Sequence, residues 1–453
     1  PLMFLDHRLR RGDSLLGLSA EDVVKPEAGR SARSVRQARG VAPGQVLMEE
    51  IHDFARRQMR ERIRRALQTI GLLTHHVGDD PGDLEGHRLE FIALLQTLEP
   101  LWRLHEVRVG RRFLPEAHPA ADLALVNRWL DEFGRMDYAS RDTQNSAEEA
   151  RRKGEALGAF CWPLAFPEVF CDADGSWKVD GGFDAVLTNP PWEKVKPDRK
   201  EFHAAYDPVI RDFQGRSLAQ HIRELHRQNG IAEAWRAYEA EQKTLATTLL
   251  ALFQHQVATV NGKRTGGDPD MYKVFVERSH QILRAAGAAG LVVPSGLHSS
   301  LSATGLRRLL LDERRVQVLS KFDNERRVFP GTHHSFKFDL VVFRKGGPSG
   351  DFQAIFLSWA TEEALERMER HPGLVRLTPD LVRTVSPDTL TIPEYRSERD
   401  VEIVRKMHAR GETFGIMMQR WGLKYVRELD MTSDSHLFRD RTWLRRHDCV
   451  QLP

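Results

Sequence analysis

Cysteine is scarce in this chain: Cys161, Cys171 and Cys449 are the only three in 453 residues. They are too few for a disulfide framework and lack metal-ligand spacing, which excludes a cystine-stapled scaffold. No apolar run approaches the length that spans a bilayer, so no membrane partner is expected. The opening residues Pro1-Leu2-Met3-Phe4-Leu5 meet charge at once and do not read as a secretory leader. A cytoplasmic setting is the expectation. Excess charge of one sign is missing as well. The formal net charge is +3, from 67 basic and 64 acidic residues, so the total argues for no nucleic-acid partner. Locally the balance differs, because residues 30–65 hold ten arginines (Arg30, Arg33, Arg36, Arg39, Arg56, Arg57, Arg60, Arg62, Arg64, Arg65) against Glu49, Glu50, Asp53 and Glu61. Such a run can neutralise phosphates, and it can equally be the solvated face of a helix.

What is present is organised around Asn189-Pro190-Pro191-Trp192, which follows the apolar run Gly182-Phe183-Asp184-Ala185-Val186-Leu187-Thr188. Two prolines remove ladder donors and cannot continue a sheet. They suit a rigid loop at the carboxyl edge of a strand, where open α/β sheets bind ligands. An Asn amide oxygen and the Pro190 carbonyl can accept hydrogen bonds from both hydrogens of a ring-conjugated amine, favouring methylation at that nitrogen. Trp192 can stack on the ring. A tight turn after a buried strand is the plain alternative for the tetrapeptide alone.

Taken in order, His7 to Gly17 reads as a short strand ending in Gly12-Asp13-Ser14, with Asp13 either contacting a nucleotide amine or capping the helix that follows. From Ala42 to Phe160 the apolar spacing is helical: Leu47, Ile51, Phe54, Ile63, Leu67, Ile70, then Leu84, Ile92, Leu95, Leu98, Leu101, then Leu123, Val126, Trp129, Phe133. The aromatic stretch Phe160 to Phe170, rich in proline, is expected to approach the sheet extended. Residues 217–260 have helix composition, and Asn261 to Pro269 reads as a basic, glycine-rich loop that can reach a DNA backbone or simply connect. A helix from Met271 to Ala286 then leads to strands at Gly290–Ser295, Val316–Phe322 and Phe338–Phe343. The last two are joined too tightly for a helical crossover and are expected to be antiparallel. His75-His76 and His333-His334 lack ligand partners at metal spacing, and Asp430, Asp434 and His436 read as turn residues before cation ligands.

With these stretches in order, the sequence resembles the gamma-class adenine-N6 DNA methyltransferases. It looks closest to the large methylases of type IIG and IIL restriction-modification enzymes and of the BREX and DISARM phage-defence systems. Gly12-Asp13-Ser14-Leu15 is similar to the motif contacting the adenine of S-adenosyl-L-methionine, and Asn189-Pro190-Pro191-Trp192 matches the catalytic motif. Tyr272-x-x-Phe275-x-Glu277 resembles the helix whose Phe lines the cofactor pocket. Gly290 to Ser295 resembles the following strand, and Val328-Phe329-Pro330 the loop that touches the flipped base. Glu428 to Phe438 looks like the entry to a target-recognition domain. The resemblance implies a Rossmann-like α/β methyltransferase sheet, S-adenosyl-L-methionine as cofactor, and double-stranded DNA with other complex subunits as partners. It implies Asp13, Ser14, Asn189, Pro191 and Phe275 at the cofactor, Asn189, Pro190, Pro191 and Trp192 in catalysis, and Trp192 and Phe329 against the base, with no metal.

The implied layout is a catalytic core at 1–19 and 177–346, helical insertions at 20–176 and 193–268, a connecting αβ region at 347–411 and the start of a recognition domain at 412–453. One departure is large. The family's Phe/Pro-x-Gly-x-Gly loop is absent, and because it precedes Gly-Asp-Ser in the family, the chain is expected to begin mid-domain. A glutamine or ribosomal RNA methyltransferase shares the Asn-Pro-Pro-aromatic loop, and a noncatalytic DNA-binding or assembly fragment is the alternative of another class. None of the three cysteines follows a proline, which sets the reading apart from cytosine-C5 methylation.

Overall fold

A computed structural model describes residues 8–17, 43–75, 81–114, 141–228, 230–356, 358–359, 366, 368–424, 426 and 428–447. The stripe at Leu123 to Phe133, the arginines 30–39 and Cys449 lie outside the described residues.

A mixed α/β sheet forms the centre. Its strands are β1 (Phe183–Thr188), β4 (Leu283–Pro294), β6 (Lys337–Lys345), β5 (Arg314–Asp323), β7 (Phe352–Ile355) and β9 (Leu374–Leu377) in spatial order, with β8 (Ser358–Trp359) beside β5. Strands β2 (Ala258–Val260) and β3 (Lys263–Thr265) form a separate hairpin. β1 runs parallel to β4, whereas β6 is antiparallel to both β4 and β5. The tight β5–β6 connection does produce the antiparallel pair expected from its length. β1, β4 and β5 therefore end on one edge of the sheet, and β6 begins there. The stretch 347–411 adds β7 and β9 to this sheet. β1 pairs only with β4 among the described residues, and its Leu187 is 90% exposed.

Three further helices pack on one another: α1 (Pro43–His75), α2 (Pro81–Arg111) and α3 (Arg141–Ala156). The α2 stripe keeps Leu98 and Leu101 as expected, but Ile92 and Leu95 are exposed, 40% and 44%, and Leu94 and Leu104 take the buried face instead. Gly110 and Gly154 let α2 and α3 touch backbone to backbone, since a Cβ on Gly110 would meet the Ala150 carbonyl at 1.9 Å. The aromatic stretch before β1 is not extended. It makes two four-residue helices, Trp162–Ala165 and Pro167–Phe170, because both prolines fall at the first turns, where a missing N–H costs nothing. Trp162, Phe166 and Phe170 all pack on Phe183 of β1.

Helices α4 (Gly215–Leu225) and α5 (Ile231–Leu252) follow β1, and α6 (Met271–Ile282) leads directly into β4. The expected helix to Ala286 stops at Ile282, where the chain turns extended. By contact the chain divides at Val401, inside α7 (Glu398–Arg410). The second unit carries α8 (Phe414–Trp421) and α9 (Arg441–Arg446), neither of which buries a residue.

Buried His105 and half-buried His280 are expected to make this fold acid-labile. Burial, reinforced by Arg108, Arg112 and Arg278, pushes His105 down to about 3, and burial with Arg314, Lys345 and His255 does the same to His280. Each folded value lies below the ordinary 6.5, so the stability contributed is complete above pH 6.5 and is lost as pH falls toward 3. Between pH 7.5 and 4.5 each histidine is expected to remove about 2–3 kcal/mol. Urea unfolding at both pH values checks this against His105→Leu, whose pH dependence should be shallower. Equal slopes in the two proteins would refute it.

Candidate functional site

Asn189 follows β1 in a loop at the carboxyl edge of the sheet. Its amide is exposed and makes no hydrogen bond among the described residues, Pro190 is buried, and Trp192 is half-buried. The Trp192 ring meets Phe329 edge-to-face at 6.2 Å and Phe336 at 6.1 Å, while Phe329 packs on Phe338 at 5.0 Å. Phe322, Phe338 and Ile355 form the buried floor beneath. Trp192 and Phe329 contact each other directly. A ring can therefore stack on a face of this cluster, whereas a sandwich between those two rings requires them to part. The Trp192 Nε1 is buried without a hydrogen-bond partner among the described residues.

Phe336, nearly half exposed at the rim, escaped the sequence reading, although its spacing two residues before Phe338 was a visible signal. Asn324 escaped it too. This buried side chain accepts from the Phe329 N–H at 3.1 Å and donates to the carbonyls of Phe329 and Thr332, at 3.2 and 3.3 Å, which fixes the loop carrying Phe329. An Asn just past a strand end is a turn former, and that was its signal.

On the opposite face of the same strands lies an ionic network. Val293, Asp339 and Lys321 are paired across β4, β6 and β5, one residue from Pro294, Phe338 and Phe322, and alternation puts the two triplets on opposite faces. His298 donates between the Asp339 carboxylate (2.9 Å) and Glu394 (3.4 Å), and Lys321 meets Glu394 at 2.8 Å. Burial disfavours the charge on His298, but the two carboxylates outweigh it and raise its affinity for the proton. Burial would raise Glu394, yet Lys321 and His298 hold it below the usual range.

The Gly12-Asp13-Ser14 segment does not form the expected strand. Asp13 makes one parallel bridge to Ala159, its N–H donates to the Gly158 carbonyl, and its Oδ1 accepts from the N–H groups of Leu15 and Leu16 at 2.9 and 3.2 Å. Asp13 thus closes a turn at Leu15 and Leu16 where a helix cap was expected, and its Oδ2 stays without a hydrogen bond among the described residues. Trp162 Nε1 donates to the Ser14 carbonyl at 3.1 Å.

Helix α6 joins the two halves. At its start the Met271 N–H donates to the Glu193 carbonyl, just past Trp192, and Val195 N–H donates to the Pro269 carbonyl. Asp270, ahead of the helix, pairs with Lys194 and with buried Lys273. Two turns on, buried Arg278 donates to the carbonyls of Leu15 (2.9 Å) and Gly17 (3.2 Å). Phe275 sits between these anchors, half-buried beside Met271 and Val274. At 1.5 Å per residue the anchors stand about 10 Å apart along the axis. The helix therefore brings the Asp13 turn, Phe275 and the Asn189 loop to one region.

Asp430 accepts from the N–H groups of Thr432 and Ser433, both at 2.9 Å, and Asp434 from Asp430 N–H, the turn role expected for them. His333 and His334 lie ring on ring at 4.4 Å, with His333 bonded to Ser335.

Residues 241–329 match the Eco57I restriction-modification methylase family, a stretch holding α6, β4, β5 and Phe329 and stopping short of Asn189. No curated protein sequence matches the chain. Among solved structures it is similar to the type I restriction enzyme EcoKI M protein, at 14% identity and a TM-score of 0.27 over 84% of this chain and 86% of that one. It is also similar to the type I restriction-modification methyltransferase subunit from Streptococcus thermophilus, at 14% identity and a TM-score of 0.29, covering 72% and 66%. A modification subunit of a putative type I restriction enzyme from Vibrio vulnificus matches at 11% identity and 0.29, covering 73% and 68%. At these values the site residues rest on the geometry of this chain alone.

Proposed function

We propose that the chain carries the catalytic region of a DNA adenine-N6 methyltransferase of a restriction-modification or phage-defence system, acting in the cytoplasm on double-stranded DNA together with other complex subunits. The observation that carries this reading is the Asn189-Pro190-Pro191-Trp192 loop at the carboxyl edge of β1, beside an aromatic cluster and tied by α6 to the Asp13 turn. A flipped adenine leaves its stack at a cost of a few kcal/mol and regains part of it on the Trp192, Phe329 and Phe336 surface. The Asn189 amide oxygen and the Pro190 carbonyl accept the two N6 hydrogens, which orients the amine and draws its lone pair out of conjugation with the ring. No covalent intermediate with the protein is needed.

The residues fit S-adenosyl-L-methionine on its adenosine side. Asp13 keeps one carboxylate oxygen uncommitted, and Phe275 offers an aromatic edge one turn along α6 from the catalytic loop. Ser14, Asn189 and Pro191 complete the proposed cofactor set. That molecule supplies an electrophilic methyl group on sulfur. The chain's own part is to hold Asn189 and Trp192 in register with the Asp13 turn through Arg278 and Met271.

Tritiated methyl transfer to phage DNA, host DNA, RNA and protein tests the reading. Label in N6-methyladenine of duplex DNA is the expected outcome. Label confined to protein glutamine or to RNA would show that a different planar amine occupies the site, and no label in any substrate would leave only a binding or assembly role.

A further inference from the structure

Asn261 to Pro269 reads from sequence as a loop, yet Lys263–Thr265 pairs with Ala258–Val260 to make a hairpin. Its turn residues Asn261 and Gly262 both take positive φ, 49° and 73°, the type I′ geometry that matches strand twist. A hairpin this short is marginal in water, and this one is rooted by buried polar groups. Thr265 Oγ1 donates to the Ala258 carbonyl at 2.9 Å and accepts from Ala258 N–H at 3.3 Å. At the base, buried Glu277 of α6 accepts from Gln254 N–H and from the Gln256 side chain, both at 2.8 Å, and from the His255 ring at 3.0 Å. What this root carries outward is Lys263 and Arg264, both exposed and without an acidic partner among the described residues.

The root also ties the base of the hairpin to α6. α6 begins at the carboxyl edge of the sheet, where Tyr272 lies against Gly296 just past β4, and residues 269–271 bond to 193–195 of the catalytic loop. The base of the hairpin at Gly266 is therefore three residues along the chain from the contact with the exit of the Asn189 loop. Stretches 194–200 and 258–268 together hold six basic residues, Lys194, Lys196, Arg199, Lys200, Lys263 and Arg264, against Asp198 and Asp268. Asp198 is committed to capping, since it accepts from Lys200 and Glu201 N–H. Arg308 stands exposed on the other side, 3.5 Å from the Thr259 carbonyl.

Resting on the proposed function, we infer that the β2–β3 hairpin is a phosphate-gripping finger that holds the backbone of the bound DNA, with Lys263 and Arg264 as its contacts. Exposed basic tips neutralise phosphates and release counterions, so binding through them depends steeply on salt.

Binding of a short labelled duplex, followed by fluorescence anisotropy from about 50 to 200 mM salt, tests the finger in the whole chain. Lys263→Ala/Arg264→Ala should bind roughly tenfold more weakly and lower the salt slope by about two, with thermal unfolding unchanged. A slope and affinity equal to native would overturn the proposal, as would a native chain that binds single-stranded RNA more tightly than duplex through the same two residues. Adenine methylation by the native chain is scored separately, so an unchanged double variant that still methylates DNA sinks the finger alone, while absent methylation sinks the function.

Discussion

Asn189→Ala is expected to lower methyl transfer to DNA by about 10²–10³-fold, with duplex binding within about twofold of native. The amide makes no hydrogen bond among the described residues and is exposed, so its removal leaves no buried group unpaired and folding should be untouched. What disappears is an acceptor aimed at the amine, an interaction that matters most as the nitrogen gains positive character. Asn189→Asp is the sharper variant, because it keeps an acceptor while replacing the amide donor with a negatively charged carboxylate. It is expected to retain more activity than the alanine variant. Single-turnover transfer with each variant measures this, and an alanine variant as active as native would remove Asn189 from the mechanism.

Arg278→Met is expected to act on stability and on cofactor affinity together. Burial pulls this guanidinium down to about 10, so it stays charged at neutral pH, and it satisfies the Leu15 and Gly17 carbonyls from inside the protein. It also lies 4.8 Å from the Phe253 ring centre. Methionine fills similar space but donates nothing, leaving two carbonyls without their partner. The expected cost is about 2–4 kcal/mol. Because those carbonyls belong to the turn that Asp13 closes, binding of S-adenosyl-L-methionine should weaken at least about tenfold. Urea unfolding and isothermal titration measure the two effects. A loss of stability with native cofactor affinity would show that the Asp13 turn has no part in binding.

Several elements were legible because local chemistry decides them. The Asn189 loop follows from two prolines after an apolar run, and the antiparallel β5–β6 pair from the length of its connection. The bonds from Asp13 to the N–H groups behind it follow from a carboxylate placed two and three residues before them. Other features depend on distant residues and leave little local trace. The hairpin at Asn261-Gly262 carries a strong turn signal, but its strands are three residues long and exist because Glu277 and Gln256 root them. His7 to Gly17 reads as a strand, whereas Asp13 meets Gly158 and Ala159 at a single bridge and the carbonyls of Leu15 and Gly17 are held by Arg278 from the far side of the sequence. In the α2 stripe Leu94 is buried in place of Leu95 because the two are equally apolar, and only packing against α1 and α3 chooses between them. At Phe160 to Phe170 the prolines were informative, but the same residue that ends one helix starts the next.

Helix α6 bonds the Asn189 loop at one turn and the Asp13 turn two turns later, and an α-helix of that length is stiff. The two anchors cannot be ordered independently. Whatever free energy a ligand at the Asp13 turn spends in fixing α6 is already spent when a second ligand reaches the Asn189 loop, and the reverse holds to the same factor. If the Asp13 turn holds a methyl donor and the Asn189 loop an acceptor, as proposed, such a helix makes their affinities reciprocal quantities, and a substitution at Met271 or Arg278 is expected to alter both.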